Sequence, residues 1–187
     1  MELWPLSLMA NTRIEALRDW GLSWGGWLDN RRGEWWLLAQ LTLIAMLLLP
    51  AWPAPAALGL IWPVGLRIAG FAALAAAGVL ALVAFLSLGA SLTPLPDPKP
   101  GAALVTSGIY GWARHPLYQA ILLGALGTAV AQGSLLHVGL LLALTAVLGG
   151  KARREERQLL AQHPDYAAYR RSTAAIVPAL PWLDWRD

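Results

Sequence analysis

Four long apolar runs, interrupted by few charges, dominate the sequence. Hydrophobic residues make up 57% of the chain and charged residues only 13%, against about 25% charged in a typical soluble domain. A helix needs roughly 20 apolar residues to cross a bilayer core. The pattern therefore predicts an all-α integral membrane bundle of about four transmembrane helices, at about 35–50, 67–90, 117–131 and 135–149.

The N-terminal residues 1–32 are rich in tryptophan but also carry charges of both signs. Thr12 and Glu15 have the spacing of a helix capping box, and indole rings favour the membrane interface. We expect an interfacial helix here, with a poorly ordered tail as the alternative. The charges also exclude a cleavable signal sequence, because they interrupt any apolar core.

The connections between the runs carry clear turn signals. Prolines after residue 49 end the first helix, and residues 51–66 read as a loop or a short re-entrant turn. Four prolines in residues 92–100 predict an extended connection with few hydrogen bonds. Glycines in and after the second run predict close contact with another helix: Gly70, Gly78 and Gly89.

The last apolar run is expected to continue as one helix into the polar segment 151–163, which would protrude from the membrane. Pro164 interrupts it, and D-Y-A-A-Y-R-R then predicts a second polar helix as a C-terminal cap. The whole chain reads as one membrane domain. Its parts are an interfacial segment (1–32), a first helical pair (33–91) and a cofactor-binding catalytic half (92–187).

Positive charge is distributed very unevenly about the four predicted spans. With four spans, both termini share a side with the loop 91–116, and that side holds every lysine and arginine except Arg67. The positive-inside rule then places both termini and the polar stretches in the cytoplasm. The net charge of +3 is explained by this bias and by anionic lipid head groups, so we expect no nucleic-acid partner.

Metal and thiol chemistry find little support in the sequence. The chain has no cysteine, which excludes disulfides and thiolate sites, and its three histidines are scattered without a ligand spacing. His137, inside the fourth run, is expected to be a hydrogen-bonded bundle residue, and His163 a surface residue.

Polar and aromatic residues crowd into Val105–Gln119, between two apolar regions, and again into Lys151–Arg157. The third and fourth runs form a helical hairpin with a turn at Q-G-S, so the start of one helix lies beside the end of the other. Arg114, His115 and Tyr118 should therefore meet Glu155 and Glu156. A helix N-terminus suits a carboxylate and a glutamate suits an ammonium, so a zwitterionic ligand would fit both.

The order of the motifs in this region is specific. V-T-S-G-I-Y-x-x-x-R-H-P-x-Y, then E-E-x-x-L about 35 residues later, then Y-x-x-Y and a proline-containing tail resemble the isoprenylcysteine carboxyl methyltransferase family. That family belongs to a wider group with the phospholipid N-methyltransferases. The resemblance covers about residues 92–181, and the first two runs match in hydropathy only.

The resemblance implies S-adenosyl-L-methionine as cofactor, bound without a Rossmann sheet. It implies catalytic roles for Arg114, His115 and Tyr118, and for Arg170 (or Arg171) in meeting an anionic substrate group. Glu155 or Glu156 would pair with the amino-acid end of the cofactor, and the other would be solvated or paired with Arg153 or Arg154. The cofactor-binding set it implies is Leu104, Val105, Thr106, Gly108, Tyr110, His115, Glu155, Glu156, Tyr166 and Tyr169.

The reaction that these residues favour is carboxyl O-methylation of an isoprenylcysteine-type lipophilic or prenylated substrate. A carboxylate is already ionised at neutral pH and needs no general base, and the sequence offers no obvious dedicated base apart from His115 and the glutamates. His163 and Pro164, and a tail whose aromatic residues are only Trp182 and Trp185, depart from the family pattern where the acceptor would be chosen. A phospholipid amine or a small thiol is therefore an alternative acceptor.

Two other classes of function also remain open at this point. One is an NADPH-dependent sterol-type reductase, although the chain is short for that scaffold. The other is a non-catalytic membrane binding protein. The oligomeric state is not predicted, and membrane lipids are expected partners in every case.

Overall fold

The computed structural model describes residues 24–99, 101–178 and 180–185, which form six α-helices and no β-strand. The predicted interfacial helix, with its capping pair Thr12 and Glu15, falls mostly outside the described residues. The helices are α1 Trp24–Asp29, α2 Glu34–Met46, α3 Val64–Leu88, α4 Pro116–Gln132, α5 Leu135–Gln162 and α6 Tyr166–Ser172. The all-α fold class is confirmed over the part of the chain that is described.

Two of these helices are long and apolar enough to cross a membrane, namely α3 with its following turn (Val64–Ser91) and α5 (Leu135–Gln162). The helix α2 is apolar but has only 13 residues, and α4 has 17. The number of four spans therefore stays a prediction. The predicted continuation of the last apolar run into its polar extension is confirmed, because α5 runs unbroken to Gln162.

Helices α3 and α4 pack closely at a pair of glycines. A Cβ on Gly70 would lie 2.4 Å from the backbone nitrogen of Ala131 and 2.5 Å from the carbonyl oxygen of Gly127. The predicted close contact is thus confirmed at Gly70. It is wrong at Gly78 and Gly89, where an added Cβ would meet nothing within 4 Å, because those positions face away from the neighbouring helix.

The hairpin of α4 and α5 turns at Gly133, as the Q-G-S pattern predicts. Gly133 has a φ of +59°, and its missing side chain leaves room for the indole of Trp62, which donates to the carbonyl of Val130 at 2.8 Å. Buried His137, at the start of α5, lies 3.2 Å from the carbonyl oxygen of Leu47 and 3.1 Å from the Gln132 amide nitrogen. It is the hydrogen-bonded bundle residue that the sequence predicts.

The bundle has two ends, which we call the motif end (around Arg114, His115 and the polar half of α5) and the turn end (around Gly133 and the loop 51–63). Helix α2 packs against α5, and α3 against α4. At the motif end, the ring of Trp36 lies where a side chain on Gly150 would be. The described cationic residues lie at or near the motif end except Arg67, which borders a turn-end cavity with Gln132.

The proline-rich connection is more tightly packed than an extended linker. Leu95 is 2% exposed and Pro96 is also buried, and Asp97 accepts from the Nε of Arg154 at 2.8 Å. The carbonyl oxygen of Pro94 accepts from the Nζ of Lys151 at 2.8 Å. These contacts fold the connection over the polar half of α5.

Candidate functional site

Glu156 lies at the centre of a closed ionic network at the motif end. Its side chain is 2% exposed, and one oxygen, Oε1, accepts from the Nε of Arg114 at 2.7 Å and lies 2.9 Å from the Nε2 of His115. The other oxygen, Oε2, accepts from the Nε of Arg170 at 2.8 Å. The predicted meeting of His115 with the acidic pair is therefore confirmed.

These partners differ from one expectation. The glutamate that does not bind a ligand was expected to be solvated or paired with Arg153 or Arg154. Arg154 instead pairs with Asp97, and buried Glu156 pairs with Arg114 and Arg170. Asp97 lies in the proline-rich loop, Arg114 lies just before α4, and Arg170 lies on α6. Because these partners lie outside α5, spacing along that helix does not reveal the pairs.

Arg114 is fastened to the C-terminal tail. Its side chain is 0% exposed and donates to the carbonyl of Thr173, to the carboxylate of Asp184 at 3.2 Å and to the carbonyl of Asp184 at 2.9 Å. The backbone N–H groups of Arg114 and His115 donate to the carbonyls of Ala174 and Ala175. The C-terminal tail, which follows α6, is therefore part of the site. The guanidinium of Arg114 makes its hydrogen bonds to groups of the protein itself.

Glu155, the neighbouring residue, has a different environment. Its side chain is 28% exposed, and one oxygen, Oε2, accepts from the hydroxyl of Tyr118 at 2.7 Å and lies 3.8 Å from the Nδ1 of His115. The rings of His115 and Tyr118 are stacked, with centroids 5.1 Å apart. The remaining oxygen, Oε1, accepts no hydrogen bond from a described residue.

Glu155 borders two cavities, which we call the inner and the outer cavity. The inner cavity has a volume of about 230 Å³. Apolar side chains from α3, α4 and the loop after α3 form most of its wall, with His115, Tyr118, Tyr110 and Lys151 as polar members. This cavity combines a mostly apolar wall with a small set of polar groups, as ligand sites commonly do.

Lys151 is the buried cation that borders the inner cavity. It is 2% exposed, and its Nζ donates to the Oε1 of Gln40 at 2.7 Å and lies 5.3 Å from the centroid of the Tyr118 ring. It stands four residues, or about 6 Å of helix rise, before Glu155 on α5. An ammonium has three donors. Two of them serve the hydrogen bonds to Gln40 and to the carbonyl of Pro94, which leaves one for a ligand.

The outer cavity, of about 90 Å³, lies between the segment before the R-H-P motif and the cap helix. Leu104, Val105, Tyr166 and Tyr169 border it, as does His163. The hydroxyl of Tyr166 is buried without a hydrogen-bond partner among the described residues. His163, which is expected at the surface, is partly exposed and borders this cavity.

Two tyrosines tie the segment before the motif to the cap. The hydroxyl of Tyr169 donates to the carbonyl of Tyr110 at 2.5 Å. Burial raises the pKa of Tyr169 to about 12, and burial together with the charge of Glu155 raises the pKa of Tyr110. The pKa of Tyr166 is also raised, by burial and then by Glu156. All three are therefore neutral hydroxyls rather than bases.

The structure separates the sequence-predicted site residues into three groups. The first group borders a cavity and consists of Leu104, Val105, Tyr110, Arg114, His115, Tyr118, Glu155, Tyr166 and Tyr169. Glu156, Arg170 and the guanidinium of Arg114 belong to the closed network. Thr106 and Gly108 are exposed and border neither cavity.

Sequence reasoning missed four residues of the site: Gln40, Lys151, Asp184 and Trp185. Trp185 is 6% exposed and lies near His115, with ring centroids 6.5 Å apart. A polar residue such as Gln40 within an apolar run is a usable signal, since such residues tend to be functional. Asp184 and Trp185 give no such signal, because only the folded tail brings them to Arg114 and His115.

A protein-family model matches this region of the chain. The family model for phospholipid methyltransferases (PEMT) covers residues 66–165, more than half of the chain. The chain belongs to the phospholipid methyltransferase family. The resemblance that the motifs indicate is thereby confirmed for the group that contains the isoprenylcysteine and phospholipid enzymes. The matched range contains α3 from Leu66 onward, α4, α5 and both glutamates, and it ends before the cap helix α6.

Two individual proteins are similar to parts of this chain. The cobalt-zinc-cadmium resistance protein CzcN of Cupriavidus metallidurans is 42% identical over 78 residues, which cover 41% of this chain and 36% of that protein. The eukaryotic intramembrane Ras methyltransferase ICMT (isoprenylcysteine carboxyl methyltransferase) is 25% identical with a TM-score of 0.57, over 62% of this chain and 43% of that one. The chain therefore spans less than half the length of either protein.

Proposed function

We propose that this protein is a membrane methyltransferase that uses S-adenosyl-L-methionine to methylate the carboxylate of an isoprenylcysteine-type lipophilic substrate. One observation carries the proposal: Glu155 borders two cavities, and Lys151 borders the inner one four residues away. An acidic group suits the cationic donor and a buried cation suits an anionic acceptor, so the same helix face provides for both.

The residues at the outer cavity fit the amino-acid end of the cofactor. Glu155 keeps a free carboxylate oxygen for an ammonium, and Tyr166 has a buried hydroxyl without a partner among the described residues. A buried unpaired hydroxyl costs free energy until it finds a hydrogen-bond partner. When bound, the cofactor supplies a methyl group on a positively charged sulfur, which leaves as a neutral thioether.

The ammonium of Lys151 favours an anionic acceptor over the alternatives. A carboxylate is attracted by its ammonium and is already ionised, whereas a protonated lipid amine would be repelled and would first have to lose a proton. The apolar wall of the inner cavity, which includes Phe85, Leu88 and Ile121, suits a hydrocarbon chain. Together these features favour a lipophilic acid over a phospholipid amine or a small thiol.

Catalysis would rest on alignment and on the exclusion of water. Holding an acceptor oxygen, the methyl carbon and the sulfur in line can supply about 7–11 kcal/mol of the barrier, and no protein acid is needed for a neutral leaving group. His115 and Tyr118, stacked and hydrogen-bonded to the glutamates, would form a rigid wall beside the reacting atoms. The positive-inside rule supports a cytoplasmic location for this end of the bundle and for the proposed site.

A methyl-transfer assay with radiolabelled S-adenosyl-L-methionine tests the proposal. The acceptors are N-acetyl-S-farnesylcysteine, its carboxamide, phosphatidylethanolamine and a small thiol. We expect label only in the acid. Lys151→Met should lower this activity roughly 10- to 100-fold, the range of one charge-assisted hydrogen bond, while Lys151→Arg should retain more of it.

Lys99→Met is the matched control, because Lys99 lies in the proline-rich loop outside both cavities. Label in phosphatidylethanolamine would instead support the amine alternative. Binding of NADPH in place of S-adenosylhomocysteine, measured by titration calorimetry, would support a reductase. Binding of neither would leave a non-catalytic membrane protein.

A further inference from the structure

A groove separates α2 from α3 in the half of the bundle that leads to the turn end. The two helices pack against different partners, α5 and α4, and α4 forms the floor between them. The groove encloses about 600 Å³, and Leu47, Leu74, Gly124 and Thr128 are among its lining residues. It runs along α4 from Ile121 to Gln132, which is about 16 Å at 1.5 Å per residue.

A second cavity continues this groove at the turn end. It also has a volume of about 600 Å³, and it shares Phe71, Ala131 and Gln132 with the groove. The loop that precedes α3 forms its outer wall, and Arg67, in the first turn of α3, contributes the cation. An apolar channel therefore ends beside one positive charge.

Arg67 has no counter-ion among the residues that the structure describes. Its side chain is exposed, and no carboxylate of a described residue forms an ion pair with it. The sequence contains no aspartate or glutamate between Glu34 and Asp97, nor between Asp97 and Glu155. Exposed Trp52 and half-buried Trp62 lie in the adjoining loop, as is typical of residues at the level of lipid head groups.

We propose that the groove and Arg67 form a binding site for an anionic phospholipid at the turn end, which shares Ile121 with the inner cavity of the candidate methyltransferase site. The guanidinium of Arg67 would bind the phosphate, for which its planar donors are suited. One acyl chain would lie along α4 and fill the space between α2 and α3. The sequence has no acidic residue between Glu34 and Asp97 or between Asp97 and Glu155. This lack of negative charge favours a lipid with a net negative charge over a zwitterionic one.

The experiment measures the unfolding midpoint of the delipidated, detergent-solubilised protein with phosphatidylglycerol and with phosphatidylcholine of identical acyl chains. A lipid that binds only the folded state raises the midpoint in proportion to its affinity. We expect phosphatidylglycerol to bind roughly tenfold more tightly than phosphatidylcholine. Native mass spectrometry should show one retained phosphatidylglycerol molecule per chain.

Three variants locate the two parts of the site. Arg67→Gln should remove the preference for phosphatidylglycerol. Arg157→Gln, which changes an exposed arginine at the motif end, should keep it. Thr128→Phe, which fills the groove, should weaken the binding of both lipids. Glycerol phosphate, which has the head-group chemistry without the chains, should not raise the midpoint.

Equal effects of the two lipids on the wild-type protein would overturn the proposal without any variant. So would a preference that survives in Arg67→Gln or binding that is unchanged in Thr128→Phe. Because none of these measurements uses the methyl-transfer reaction, they are independent of the proposed function.

Discussion

Glu155 and Glu156 are adjacent in sequence, yet they belong to two different regions of the molecule. The region around Glu156 is closed: both its oxygens are bound, and its partners come from the segment just before α4, from α6 and, through Arg114, from the tail. The region around Glu155 is open: one oxygen is free of described donors, and two cavities meet at the side chain. Successive residues on a helix point about 100° apart, so one helix can supply both.

The two glutamates therefore differ in what they can do: Glu156 stabilises the site, and Glu155 is available to a ligand. A buried charge must be paired where it lies, because an unpaired one is very costly, and Glu156 satisfies that need within the protein. A ligand-binding charge must keep a free atom, as Glu155 does. This division predicts that changes around Glu156 alter stability, whereas a change at Glu155 alters ligand affinity and leaves stability nearly unchanged.

The largest effect on stability is expected for Glu156→Gln. Loss of the carboxylate leaves the fully buried guanidinium of Arg114 without its nearest charge, and breaking such a pair costs about 3–5 kcal/mol. The unfolding midpoint in detergent should fall strongly, whereas Glu155→Gln should change it little, since glutamine can still accept from Tyr118. Equal stability losses in the two variants would remove the distinction between the regions.

Arg170→Gln should have an intermediate effect. Its guanidinium donates to Glu156, but its side chain is 21% exposed, so water replaces part of the lost interaction and the cost should be about 1–2 kcal/mol. The control is Arg157→Gln, at an exposed position of α5. A stability loss as large as that of Glu156→Gln would mean that Arg170, and not Arg114, is the main partner.

Tyr169→Phe should have the smallest effect, about 0.5–1 kcal/mol for one neutral hydrogen bond. It removes the donor to the carbonyl of Tyr110 that ties the cap to the segment before the motif. Hydrogen exchange should report faster exchange confined to residues 104–111 and to the cap helix. Faster exchange throughout α4 and α5 would show that the cap supports the whole bundle.

Much of the fold could be predicted because the relevant signals are local. The helix periods, the prolines and the Q-G-S turn locate α3, α4, α5 and α6, and the hairpin alone brings His115 to the acidic pair. The length of the first helix was overestimated, because the apolar run extends past Met46 while the helix does not. The number of membrane spans depends on the bilayer and is not fixed by helix length alone.

The inner arrangement of the site could not be predicted in the same way. Adjacent glutamates carry the same chemistry in the sequence, and only the packing of the tail against Arg114 gives them different partners. Lys151 reads as one of several cytoplasmic lysines and arginines until Gln40, Pro94 and Tyr118 are seen around it. Such contacts join segments that are far apart in the chain, and no spacing rule encodes them.

The most direct measurement is the affinity of S-adenosylhomocysteine for the wild-type protein and for Glu155→Gln, by titration calorimetry in detergent. We expect Glu155→Gln to bind roughly 10- to 100-fold more weakly, with an unfolding midpoint close to that of the wild type, and Arg157→Gln to bind normally. An unchanged affinity in Glu155→Gln, with the protein folded, would contradict the claim that this free carboxylate holds the cofactor.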